Sequence, residues 1–378
     1  MKIVLTDVVT DIPGHSQGSF SGLLWDLASN LKSLGEDVHI IGAYTSKDYP
    51  NKEIPVHLIK PSKIRYKTSL APFLAALRAV WKIREIGNVD IIHSFEYQSP
   101  CTFGILIKNI PIILTAAVNI FEKVESGVNP YPWPTTQVYK ISTLCSARLC
   151  SHIVVLTEEM KRWWKSSGVT DSNISVIPNG LNFEVFKRIN NARKQLGIDA
   201  DTKVLLYVGI LKKEKGVEYL LQAIKEIKDL EHLRLNIVGD GPLRRYTEHF
   251  IKKHNLNAEV FGWIRQQDLP VYYSAADALV LPSLSEVTPR VIDEAMACKT
   301  PVIATDVGGI SNRIIDGETG FLIPPKNANA LRLKIFEVLQ DRESRKKVSE
   351  NAYNHVKNNI DWKIIANRYI SEVYSRFL

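Results

Sequence analysis

The run Pro282-Ser283-Leu284-Ser285-Glu286-Val287-Thr288-Pro289-Arg290-Val291-Ile292-Asp293-Glu294-Ala295-Met296-Ala297 organises the rest of the chain. Ala278-Leu279-Val280-Leu281 before it is a short apolar run of the kind that forms a buried strand, and Val291 to Cys298 has the composition of a helix. Thr288 is a suitable N-cap, and Pro289 suits a first helical position because its missing N–H has no helical partner to lose. The backbone amides of Thr288, Arg290 and Val291 are then expected to point out of the helix start, with the positive end of the helix dipole behind them. Such a place attracts a phosphate. Two carboxylates bracket it: Glu286 at the mouth and Glu294 on the second helical turn, with seven residues between them. An anion site between carboxylates suits a ligand with phosphates in its middle and hydroxyls at both ends, as a nucleotide sugar has. The plain alternative is an ordinary strand–turn–helix carrying two solvated glutamates.

The stretch resembles the Glu-x7-Glu signature of retaining glycosyltransferases of family 4, which have the two-domain GT-B fold. Its surroundings share the resemblance: Leu281-Pro282-Ser283, Glu294-Ala295-Met296-Ala297, and Thr300-Pro301-Val302-Ile303-Ala304-Thr305-Asp306-Val307-Gly308-Gly309. The implied architecture is α/β. Two Rossmann-like, doubly wound parallel-sheet domains face each other across a cleft, and a C-terminal helix crosses back to the first.

The composition fits that scale. The chain has 378 residues, 45% hydrophobic and 23% charged, enough for two sizeable cores. Cys101, Cys145, Cys150 and Cys298 lack metal-ligand spacing and sit among apolar residues, as buried thiols of a reducing compartment do. The apolar run after Met1 is too short for a signal peptide, and no uninterrupted run reaches membrane-spanning length. A cytoplasmic location is expected. The net charge of +8 allows attraction to anionic donors or to an anionic membrane surface. The positive charge is scattered and no recognised module is present, so nucleic acid is not an expected partner.

In the first half, expected strands fall at Lys2 to Thr6, Asp37 to Ile41, Asp90 to Ser94, Pro111 to Thr115, Ser151 to Leu156 and Ile174 to Ile177. A loop with Gly14, Gly18, Ser19 and Gly22 follows the first strand and opens onto an amphipathic helix, Phe20 to Leu34. It lacks the Gly-x-Gly-x-x-Gly spacing of dinucleotide sites. The resemblance places Gly18 and Ser19 at the donor phosphates or the acceptor; a plain flexible turn is the alternative. Ser69 to Ile86 has helical periodicity, with Arg78, Lys82 and Arg84 on it and Lys60, Lys63, Arg65 and Lys67 before it. It either packs on the sheet or forms a peripheral, membrane-facing patch with snorkelling cations at the inner face of the membrane. His93 lies at the C-terminal edge of its strand, where open α/β sheets bind ligands. The resemblance makes it an acceptor or sugar contact, and a structural role is the alternative. Where many family members carry a His after the next strand, this chain has Ala116-Ala117-Val118-Asn119. Asn119 can hydrogen-bond a sugar hydroxyl but cannot take its proton. Trp133 and Tyr131 are candidates for stacking on an acceptor sugar, or for packing.

Pro178-Asn179-Gly180-Leu181-Asn182 resembles the family's interdomain linker, with Asn182 in the place of Asp. Domains of 1–180 and 181–358 follow, with a last amphipathic helix in 359–378. Beyond the linker, strands at Val204 to Val208, Leu233 to Val238, Ala258 to Phe261, Ala278 to Leu281 and Val302 to Ala304 alternate with helical stretches, the pattern of a parallel sheet. Gly209-Ile210-Leu211-Lys212-Lys213-Glu214-Lys215-Gly216 is no P-loop, because Gly-Lys-Ser/Thr is missing. It resembles the family's Gly-Arg-Leu-x-x-x-Lys-Gly, with Lys215 at the Lys and Ile210 at the usual Arg. Gly239-Asp240-Gly241-Pro242 and Phe261-Gly262-Trp263-Ile264 match further family turns, the latter around the nucleotide base.

The resemblance implies transfer of a hexose from a nucleotide diphospho-sugar (UDP-, GDP- or ADP-linked) to a hydroxyl of a glycan, lipid or small-molecule acceptor, with retention and without a metal or other cofactor. Lys215 and Glu286 are the expected catalytic groups. The expected donor contacts are Gly18, Ser19, Gly209, Lys215, Gly239, Gly262, Trp263, Glu286, Thr288, Arg290, Val291 and Glu294. Glu294 is expected at the ribose and Glu286 at the sugar hydroxyls. Two other functions compete: a nucleotide-sugar-binding protein without transfer activity, and a GT-B nucleotide-sugar epimerase, which would isomerise the sugar with no acceptor.

Overall fold

A computed structural model describes residues 1–7, 20–42, 53–59, 71–95, 99–116, 133–227, 232–286 and 288–378. They form two compact units: Met1–Gly180 with Trp362–Leu378, and Leu181–Asp361.

The first unit is built on a seven-stranded parallel sheet. Its strands are β1 (Lys2–Asp7), β2 (Asp37–Gly42), β3 (Val56–Leu58), β4 (Ile91–Ser94), β5 (Ile112–Ala116), β6 (His152–Val155) and β7 (Ile174–Val176), in the order β3-β2-β1-β4-β5-β6-β7. The chain winds outward from β1 to β3, returns past β1, and continues from β4 to β7. Strand order therefore reverses between β1 and β4. Alternate side chains serve opposite faces: Ile3 and Leu5 join one buried cluster, and Val4 joins another. With both faces covered, the strands are almost uninterruptedly apolar, as the sequence shows.

The C-terminal segment belongs to this unit. Trp362, Ile365, Ala366, Tyr369, Val373 and Tyr374 enter the cluster that contains Leu24, Leu27 and Leu31 of the helix Phe20–Ser33. Gly180 is where the chain passes over Trp362. A β-carbon there would lie 2.3 Å from the indole.

This packing gives His93 a structural role and corrects its expected place at an acceptor. The imidazole is fully buried. Its Nδ1 lies 2.7 Å from the Tyr374 hydroxyl and its Nε2 2.7 Å from Thr115 Oγ1, which also meets the Tyr369 hydroxyl at 3.0 Å. Both nitrogens are occupied by partners of the C-terminal segment and β5, which leaves none for a sugar. Burial lowers its pKa to about 3. Between pH 6.5 and about 3 the unfolded chain binds a proton that the folded histidine refuses. Stability is therefore lost as pH falls through that window, by about 1.4 kcal/mol per pH unit. Urea unfolding of the wild type and of His93→Gln at pH 7 and pH 5 checks this. The wild type should lose about 2 kcal/mol more than the variant over that interval; equal losses would contradict the assignment.

The second unit carries a six-stranded parallel sheet. Its strands are β8 (Lys203–Val208), β9 (Leu233–Val238), β10 (Ala258–Gly262), β11 (Ala278–Leu281), β12 (Val302–Thr305) and β13 (Phe321–Ile323), in the order β10-β9-β8-β11-β12-β13. Here the reversal lies between β8 and β11. Val204, Leu206 and Val208 face one cluster, and Leu205 and Tyr207 the other. Each fully buried aliphatic side chain contributes about 1.5–3 kcal/mol. The two cores thus supply the driving force, and the strand ends are left for function.

Candidate active site

In the second unit three glycine turns meet at the C-terminal edge of the sheet. The amide of Gly209, after β8, donates to the Val238 carbonyl at 3.0 Å, and the amide of Gly239, after β9, donates to the Gly262 carbonyl at 2.7 Å. Leu211 N–H donates to the Asp240 carbonyl at 2.9 Å. Gly239 has φ +143°, and a β-carbon on it would lie 1.9 Å from the Gly209 carbonyl oxygen. Only glycine permits this approach. Trp263, just past β10, is 54% exposed, and Ile210, where the resemblance expects Arg, is 55% exposed.

The turn Lys213–Lys215 ends in Gly216, which leans on the turn after β11. Gly216 has φ +66°, and a β-carbon there would lie 1.9 Å from the Pro282 carbonyl oxygen. Leu284 N–H donates to the Glu214 carbonyl at 2.8 Å. These contacts bring Lys215 Nζ to 2.5 Å from Glu286 Oε1. Ser283 Oγ donates to the same carboxylate oxygen at 2.8 Å, and Thr305 Oγ1 donates to the Ser283 carbonyl. Gly309 N–H donates to the Glu286 carbonyl at 2.9 Å. Glu286 is thus fixed through its backbone and its side chain. The Glu286 side chain is 8% exposed and that of Lys215 22%. Burial, and then the charge of Glu286, pushes the neighbouring Tyr207 phenol up.

The following helix is Arg290–Ala297. Thr288 is not its N-cap, contrary to expectation, and Pro289 is not its first helical residue. Pro289 occupies the cap itself, with φ −73° and ψ 101°, and no side chain caps the helix. That ψ is extended, so the helix begins one residue later. Arg290 and Val291 supply the first helical amides, and Thr288 lies outside the helix.

Glu294 sits one turn in and is 5% exposed. Its Oε2 accepts a 2.8 Å hydrogen bond from the Tyr273 hydroxyl. Burial raises its pKa, against the opposing pull of Arg290. Asp293 beside it is also buried and pairs with Arg313 at 3.3 Å.

Of the expected donor contacts, Gly209, Gly239 and Gly262 are joined by the turn contacts above, with Trp263 next in sequence to Gly262, and Lys215 and Glu286 pair with each other. Arg290, Val291 and Glu294 share the helix that follows Glu286. Gly18, Ser19 and Asn119 lie outside the described residues. Tyr273 and Ser283 are partners that the sequence did not point to. Ser283 stands three residues before Glu286 in a turn, a spacing that allows such a bond; Tyr273 carries no comparable signal. Among the described residues no group of three or more His, Cys, Asp and Glu side chains is placed to hold a metal ion.

Comparison with known proteins agrees with this geometry. Residues 188–355 match the family described as glycosyl transferases group 1, and residues 23–185 match glycosyltransferase family 4. An uncharacterized glycosyltransferase of Methanocaldococcus jannaschii is 31% identical over 337 residues, covering 86% of each chain. The D-inositol 3-phosphate glycosyltransferase of Pseudarthrobacter chlorophenolicus is 30% identical over 360 residues, covering 87% of this chain and 84% of that one. The sucrose-phosphate synthase of Thermosynechococcus elongatus has a similar structure, with a TM-score of 0.81 at 26% identity, covering 99% of this chain and 98% of that one. Three glycine turns at one sheet edge, a lysine–glutamate pair on the turns after two strands of the same sheet and these relatives converge on one conclusion: the chain belongs to the family 4 glycosyltransferases of the GT-B fold.

Proposed function

We propose that this glycosyltransferase moves a hexose from a nucleotide diphospho-sugar to an acceptor hydroxyl on a glycan, lipid or small molecule, with retention at the anomeric carbon. The observation that carries the proposal is the Lys215–Glu286 pair, whose glutamate comes just before the helix Arg290–Ala297 in the chain. The diphosphate rests between Lys215 and the amides of Arg290 and Val291, where an anion replaces Glu286 as the partner of the ammonium. Glu286 is then released to accept hydrogen bonds from sugar hydroxyls. As the glycosidic bond breaks, negative charge grows on the leaving diphosphate, and a preorganised cation and helix terminus stabilise it most at that moment. The proton of the acceptor hydroxyl passes to a phosphate oxygen of the leaving group. Glu294, whose exposed part is small, meets the ribose over the first turn of the helix, and the base lies along Gly262 and Trp263.

Lys215→Ala is expected to weaken nucleoside diphosphate binding by about 1.5–3 kcal/mol, roughly tenfold to a hundredfold. Titrations with UDP, GDP and ADP identify the nucleotide on the wild type and then measure the variant. Equal affinities would place the diphosphate elsewhere, on Lys212 or Lys213.

A further inference from the structure

The helix Ala71–Ile86 of the first unit has two apolar faces. Ala75, Ala76, Ala79, Val80 and Ile83 are buried in its core. On the opposite side, at spacings of three and four residues, Leu74, Leu77 and Trp81 are 36%, 45% and 70% exposed. The helix therefore packs on the sheet and still leaves an outward apolar stripe. The stripe continues onto the neighbouring helix Ser99–Leu106, whose last two residues, Ile105 and Leu106, are 60% and 40% exposed. Arg84 Nη2 donates to the Leu106 carbonyl at 3.4 Å, which ties the two helices at that point.

We propose that this face docks on an anionic lipid membrane. Arg78 and Arg84 flank the stripe, and Lys108 follows the second helix. Glu85, the one carboxylate on the first helix, is bonded by Lys82 at 2.6 Å. Cations around an exposed tryptophan and leucines match a surface of phosphates over hydrocarbon: the aromatic ring enters the headgroup layer and the long cationic side chains stay at the phosphates. A second copy of the chain is a poorer occupant. A two-fold self-interface would set the same cations against one another. No helix among the described residues is long and apolar enough to cross a membrane, so the contact is peripheral.

The test is co-sedimentation of the full chain with vesicles of phosphatidylcholine alone and of phosphatidylcholine with phosphatidylglycerol. The wild type should bind the anionic vesicles preferentially and be released by salt. The double variant Leu77→Ser, Trp81→Ser should bind them at least about tenfold more weakly, with unchanged melting temperature and unchanged nucleotide affinity. Equal binding to both vesicle types, no binding, or wild-type binding by the double variant would overturn the proposal. A concentration-dependent dimer that the double variant abolishes would also overturn it, in favour of self-association.

Discussion

Glu286→Ala is expected to cut donor turnover by about a hundredfold or more while leaving the affinity for free nucleoside diphosphate unchanged or slightly higher. In the proposed reading the carboxylate faces the sugar end, so its loss falls on a contact that strengthens as the sugar moves. Its removal also frees Lys215, which it holds at 2.5 Å, for the diphosphate. Glu294→Gln should behave differently. It keeps the side-chain volume and an oxygen to accept from Tyr273, so the fold should survive; in the proposed reading, what it loses is the charged acceptor for ribose. Free diphosphate and full donor should then weaken by similar factors, about tenfold. Calorimetry with diphosphate and donor, beside initial rates, separates the two variants. Identical profiles would reject the division of labour, and full activity in both would return these glutamates to a structural role.

The second large effect is expected from the sheet edge. Gly239→Ala should cost about 3 kcal/mol or more, because it combines an unfavourable φ with a backbone collision. The added carbon would meet the Gly209 carbonyl oxygen at 1.9 Å, and neither chain can retreat without breaking the bond from Gly239 to Gly262. In a unit of this size that corresponds to a fall in melting temperature of about 10 °C, with loss of stabilisation by nucleotide. Gly317→Ala is the control. Its φ is also positive, at +73°, yet no atom lies within 4 Å of an added β-carbon, so only the conformational cost of about 1 kcal/mol applies. If the two variants melt alike, the close approach of the Gly209 and Gly239 turns is not what the structure describes.

The residues differ in how far the sequence revealed them. Strands β8 to β12 are mostly apolar segments of four to six residues between turn signals, and period and length suffice to find them. β3 and β13, of three residues each, are not among the strands expected from the sequence. In the helices Ser99–Leu106 and Trp133–Leu149, prolines near the starts and Ser and Thr residues hide the helical period. Lys215, Glu286 and the glycines are legible because local turns fix their surroundings. Their meeting is not, because Lys215 and Glu286 are 71 residues apart and join only when β8 and β11 pair. Tyr273 illustrates the same limit: as one buried aromatic among several, it becomes the partner of Glu294 only through the packing of two helices. The N-cap at Thr288 failed for a smaller reason. The extended ψ of Pro289 starts the helix one residue later than composition suggests.

The most direct measurement follows both ends of the reaction at once. Purified protein is incubated with UDP-, GDP- and ADP-linked hexoses and an acceptor polyol or lipid-linked sugar. Released nucleoside diphosphate is quantified while the anomeric proton of the product is observed by NMR. The expected result is stoichiometric diphosphate release with one nucleotide class, a new glycoside of the same anomeric configuration as the donor, and loss of both signals in Glu286→Ala. Tight donor binding without release would contradict it in favour of a binding protein. An isomerised sugar formed without acceptor would contradict it in favour of an epimerase, and a product of opposite configuration would overturn retention.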